Sequence, residues 1–135
     1  MKIQDLKSGE FGILTQENIS TTIFSASELH KDIACKIIVK NLQGEGVCGI
    51  LARTLEIDKL KELCDKYNPL NYKMSVTITG GNIVPQSIEY GKKLVSYFTE
   101  QEKLWHDNME WKCTVNTTPH VDDLDLVGLA VSGHY

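Results

Sequence analysis

No apolar run in the sequence approaches the roughly 20 residues that a membrane helix needs, which argues against a helical span. The N-terminus, Met1-Lys2-Ile3-Gln4-Asp5-Leu6-Lys7, lacks the apolar core of a signal peptide. A cytoplasmic protein is therefore expected, or one exported without a cleaved leader, and the sequons Asn18-Ile19-Ser20 and Asn116-Thr117-Thr118 are expected to stay unmodified. The lysines are scattered and the formal charge is −4, so no basic stripe is available to neutralise a phosphate backbone and nucleic acid is not an expected partner. Cys35, Cys48, Cys64 and Cys113 lie far apart with no C-x-x-C pair, which argues against a zinc knuckle or a redox motif. Four reduced thiols and no disulfide are expected. Internal repeats and low-complexity runs are also absent.

What is present is enough for one domain. A chain of 135 residues, 41% hydrophobic and 24% charged, has the length and composition to bury a single core. Residues 1–135 are read as one unit, with the polar stretch 1–10 free to be loosely ordered. Cys35-Lys36-Ile37-Ile38-Val39 and Val47-Cys48-Gly49-Ile50-Leu51 are two β-branched apolar runs. The link between them, Lys40 to Gly46, holds Asn41, Gly44 and Gly46, residues that tolerate positive φ, so the whole reads as a β-hairpin. Phe11 to Thr15 and Thr21 to Ser25 are further candidate strands, and Ala26 to Asp32 reads as a loop or a short helical turn.

Beyond the hairpin the period changes. Ile57, Leu60, Leu63, Cys64 and Tyr67 recur at three- and four-residue steps, predicting a helix with one buried face, capped by Thr54 and stopped by Asn68-Pro69. Tyr72 to Ile78 alternates as a strand and ends at Gly80-Gly81. A second helix is predicted from about 86 to 101, with Pro85 in its first turn and Ile88, Gly91, Leu94, Val95 and Phe98 on one face. Glu110 to Val115 reads as a strand with Trp111, Cys113 and Val115 on one side; Leu126 to Val131 reads as an inner strand, apolar on both faces. The order implies an α/β or α+β sandwich: a mixed, largely antiparallel sheet with two packed helices.

Three stretches carry a family resemblance. Thr21-Thr22-Ile23 through Cys35 and its hairpin, Val47 to Leu51, and Met74-Ser75-Val76-Thr77-Ile78-Thr79-Gly80-Gly81 with the helix after it resemble the CheD-type chemoreceptor glutamine deamidases, whose fold the cytotoxic-necrotizing-factor toxins share. The resemblance covers roughly residues 20 to 100, by order of elements more than by identities. It implies a cysteine-dependent hydrolase that deamidates a protein glutamine in chemotaxis, with Cys35 as nucleophile, Thr22 as the motif threonine and no cofactor. A second alignment sets Thr21 to Ser27 on the motif and Glu28 at the cysteine position. The family's histidine, near the end of the second hairpin strand, has no counterpart, because Ala52 or Arg53 stands there.

Such an enzyme needs a thiolate, an imidazole to activate it and protonate the departing ammonia, and donors for the oxyanion. His30 is nearest to Cys35 in sequence and is the candidate base; His106, His120 and His134 approach only through the fold. A buried structural thiol is the other reading of Cys35, and core packing accounts for Cys48 and Cys64. His120, Asp122, Asp123 and Asp125 form an acidic cluster, but their spacing matches no calcium loop and an acidic turn explains them, so no metal is expected. Gly80-Gly81 lacks the lysine and hydroxyl of a phosphate loop and reads as a tight turn. Trp105 and Trp111 read as packing residues. Two functions stand open: a divergent protein-glutamine deamidase, and a non-catalytic pseudoenzyme that keeps the fold to bind a protein partner.

Overall fold

Both faces of the inner strand Ile33–Asn41 are apolar over most of its length, and a layer is built on each. The computed structural model describes residues 2–30, 32–53, 57–116 and 122–129. In chain order the elements are β1 (Lys2–Asp5), β2 (Glu10–Leu14), β3 (Thr22–Ala26), β4 (Ile33–Asn41), β5 (Gly46–Arg53), α1 (Ile57–Cys64), β6 (Tyr72–Gly80), α2 (Pro85–Trp105), a 3-10 turn (His106–Asn108), β7 (Met109–Val115) and β8 (Leu124–Leu126). Five strands form one sheet in the order β2-β5-β4-β6-β7, antiparallel except for the parallel β6–β7 pair. A second sheet has the order β1-β3-β8. Together they make an α+β sandwich of helices, large sheet and small sheet.

Period-two alternation assigns the two cores. Cys35, Ile37 and Val39 of β4, with Cys48, Ile50 and Ala52 of β5 and Met74, Val76 and Ile78 of β6, pack beneath Leu60 of α1 and Leu94 and Phe98 of α2. The alternate residues Ala34, Ile38 and Leu51 face the small sheet, meeting Phe24, Ala26 and Leu126. Close approach on that side is set by glycine: a Cβ on Gly12 would enter the Phe24 ring, and one on Gly49 would meet Leu126 at 2.9 Å.

The hairpin forms as its residues predict, with a tighter link. β4 and β5 pair from Cys35 opposite Ala52 to Lys40 opposite Gly46, with an irregularity at Val39/Lys40. Of the three turn residues only Gly44 takes positive φ, at 90°. Asn41 acts through its side chain, whose Oδ1 accepts from the Gln43 and Glu45 amides at 3.0 and 2.9 Å. Gly46 is needed because Leu129 packs where its Cβ would stand.

The helices lie near their expected positions. Pro85 is the first residue of α2, which continues to Trp105 because Leu94, Phe98 and Trp105 keep its inner face apolar. Thr54, the predicted cap of α1, lies outside the described residues. None of the described helices is long and apolar enough to cross a membrane.

Three expectations are corrected. The described residues form two sheets rather than one, since β3 leaves the plane of the large sheet to pair with β1 and β8. The polar stretch 2–5 is not loose: it pairs in parallel with β3, and Leu6 beyond it is 1% exposed. The last strand is not an inner one. Only Leu124–Leu126 is strand, at an edge of the small sheet, with Leu126 buried and Val127 exposed; residues 130 and 131 lie outside the described residues.

Candidate functional site

The parallel pair β6–β7 with α2 crossing between them is a βαβ unit, and the strand ends that open onto its crevice are where such units place polar groups. Gly80 and Gly81 end β6 with φ of 96° and 85°, a left-handed pair only glycine adopts without strain. The Gly81 amide donates to the carbonyls of Leu29 at 2.7 Å and Asp32 at 2.6 Å, so the turn docks the loop before β4. A tight turn is indeed what the two glycines serve.

That loop is fixed from several sides. Leu29 is fully buried as its anchor, and Glu28 before it takes φ 56°. The His30 amide donates to Asp122 Oδ1 at 2.8 Å, and the same oxygen lies 3.0 Å from His30 Nδ1, so the ring nitrogen facing the carboxylate is the donor. Asn82 Nδ2 donates to the His30 carbonyl at 3.1 Å. Asn82 in turn belongs to a chain of bonds: its amide donates to Ser87 Oγ at 3.0 Å, and Ser87 Oγ donates to Asn116 Oδ1 at 2.7 Å. Below the loop, Arg53 donates twice to Asp32 Oδ2, from Nε at 3.0 Å and Nη2 at 2.8 Å, and Nη1 donates to the Leu6 carbonyl at 3.1 Å. The Arg53 side chain is 9% exposed.

The three residues proposed for catalysis are not brought together. Cys35 is 2% exposed in the helix-side core, and burial, then the neighbouring Cys64 and Cys113 thiols, push its pKa well above the ordinary thiol value. Thr22 begins β3, in the small sheet on the opposite side of the large one. His30 is half-exposed and engaged with Asp122. Among the described residues no imidazole hydrogen-bonds to Cys35, and no thiol or hydroxyl hydrogen-bonds to His30. His106 opens the 3-10 turn ahead of β7, whose first residue, Met109, is already roughly 13 Å along the sheet from Cys113, the β7 residue level with Cys35. His120 and His134 lie outside the described residues.

Cys48 and Cys64 are core thiols, and all four cysteines are free, with only Cys113 exposed. Trp105 is buried at the end of α2, and Trp111 packs beside Phe98 and donates from Nε1 to Glu102 at 2.6 Å. Among the described residues no three His, Cys, Asp or Glu side chains converge as a metal site requires.

Sequence reasoning missed the network of Asn82, Ser87 and Asn116 and the pairing of Asp122 with His30. The available signal was Asn82 directly after two glycines, since asparagine caps local backbone amides; its Oδ1 accepts from the Val84 amide at 3.0 Å. Ser87 is only five residues from Asn82, but the other partner side chains are 29 to 92 residues distant, beyond any local pattern. Beside this polar network Ile83 and Val84 stand 84% and 49% exposed. No protein-family model matches the chain, and a search of curated proteins finds no match.

Proposed function

We propose that the protein is a non-catalytic binding domain with a glutamine-deamidase-like architecture, docking a protein partner through the sheet end around His30, Asn82 and Asp122. The observation that carries this reading is the state of Cys35: a buried thiol with a raised pKa and no described imidazole beside it offers neither a thiolate nor a proton donor for ammonia. Position 52, directly opposite, holds a methyl group. The docking surface is supported by Ile83 and Val84, two consecutive exposed apolar side chains bordered by hydrogen-bonded polar groups, the composition of a contact patch with a polar rim.

The test is ammonia release from glutamine-bearing proteins, chemoreceptor fragments among them, by wild type and by Cys35→Ser. Background release from both is expected. Robust release that disappears in Cys35→Ser would overturn the reading and restore the deamidase.

A further inference from the structure

At the other end of the large sheet two lysines stand directly opposed. Lys40 pairs with Lys73 in the β4–β6 ladder. Their neighbours Val39 and Met74 face the helix-side core, so both lysines project from the other side of the sheet. Directly opposed residues stand about 5 Å apart at Cβ, where like charges repel. Both lysines are half-buried, and among the described residues neither has an ion-pair or hydrogen-bond partner.

They line the β4–β6 side of a cavity of about 210 Å³. Asp107 and Glu110 line its other side, from the 3-10 turn and from β7, and Ser75 pairs with Glu110 in the β6–β7 ladder. Asn108 donates from Nδ2 to the Pro69 carbonyl at 3.0 Å, tying down the 3-10 turn that carries Asp107. The lining is thus neutral in sum but split in sign. A simple anion gains at the lysines and is repelled by the carboxylates, and a simple cation meets the reverse. A molecule bearing both charges is favoured on both sides. The volume is below the roughly 300 Å³ of the smallest drug-sized sites and matches a small metabolite.

We infer that this cavity binds a small zwitterion of the α-amino-acid class, its carboxylate held between Lys40 and Lys73 and its ammonium turned toward Asp107 and Glu110. The site lies about 23 Å along β6 from Gly80, so it stands apart from the partner surface proposed above. The unrelieved lysine pair is then a preorganised receptor: repulsion present in the empty cavity is relieved when the carboxylate enters.

The experiment is a titration of ¹⁵N-labelled protein with L-alanine, acetate, ethylammonium and inorganic phosphate at matched ionic strength. L-alanine is expected to shift the amides of residues 73–75 and 107–110 saturably, with acetate, ethylammonium and phosphate each at least about tenfold weaker. Lys73→Met and Lys40→Met are expected to lose the L-alanine response about tenfold or more while keeping the remaining spectrum. With one of two opposed charges removed, each variant should also melt no lower than wild type when ligand is absent. Asp107→Asn supplies an independent variant on the other side, expected to narrow the preference for L-alanine over acetate. No saturable shift with L-alanine, an equal or stronger response to acetate or phosphate, or wild-type affinity in both lysine variants would overturn the proposal.

Discussion

Cys35 and Ala52 face each other across the β4–β5 ladder, each 2% exposed and both turned toward the helices. A histidine at position 52 would therefore stand within reach of the thiol, yet the space it needs is filled by core. Ala52→His is expected to destabilise the protein by about 3 kcal/mol, because an imidazole both overpacks the site and buries polar atoms without partners. Urea denaturation measures the loss, and the same variant should release no ammonia from glutamine-bearing proteins. Stability equal to wild type would show that the core beside Cys35 has room for a base.

The thiols divide by exposure. Cys113 is exposed on β7, while Cys35, Cys48 and Cys64 are buried. Native protein treated with iodoacetamide at neutral pH should take up one label quickly and three more only after denaturation, as intact mass resolves. Rapid native labelling at Cys35, mapped by peptide digestion, would contradict its burial.

Alkaline pH should destabilise the fold. Burial raises Cys64 to about 12 and raises Cys35 as well, and Tyr67, Tyr90 and Tyr97 are also pushed up, in each case chiefly by burial. The folded state holds these protons more tightly than the unfolded chain, whose thiols ionise near about 8.5. Their contribution is fully present below that value and is lost as pH rises toward 12. For Cys64 alone the loss by pH 10 is on the order of 1–2 kcal/mol. Urea midpoints at pH 8 and pH 10 check the sign, and Cys64→Ala should flatten the dependence.

Arg53 and Asp32 form the least exposed ion pair among the described residues, with side chains 9% and 22% exposed. Arg53→Met strands Asp32 and removes the donor to the Leu6 carbonyl, so a loss of about 3 kcal/mol is expected. Asp32→Asn should cost less, since Ser8 and water still reach that position. In a double-mutant cycle the pair should show coupling above about 1 kcal/mol; additive losses would mean that each side chain acts alone.

The hairpin, both helices and β6 were legible because each rests on a local pattern: β-branched apolar runs over 35–39 and 47–51 around a turn, alternation over 72–78, three- and four-residue steps over 57–64 and 88–98. The small sheet was not. β1 reads as polar because all four of its residues are exposed, and its strand geometry comes from parallel pairing with β3, which no local pattern announces. Gly12 and Gly49 were readable as strand residues but not as the seat of a second layer, since that role depends on Phe24 and Leu126 arriving from elsewhere. Of the candidate site, Cys35 was placed correctly at its strand; the sequence leaves the histidine position between Ala52 and Arg53, and only the strand register sets Ala52 opposite Cys35. Whether the thiol opens to a cleft or into a core depends on which face α2 covers, and alternation alone cannot distinguish two faces that are both apolar.

β3 is clasped between β1 and β8, so the small sheet joins chain segments more than a hundred residues apart. Closing so long a loop is slow relative to forming the β4–β5 hairpin, which places assembly of this layer late in folding. Its lifting would bare Ile38, Leu51 and the glycine seat while the helix-side core stays intact, leaving a partly open form with an apolar sheet face presented to other chains. Aggregation through such a form would be governed by the three residue pairs of the β3–β8 ladder rather than by the stability of the larger core.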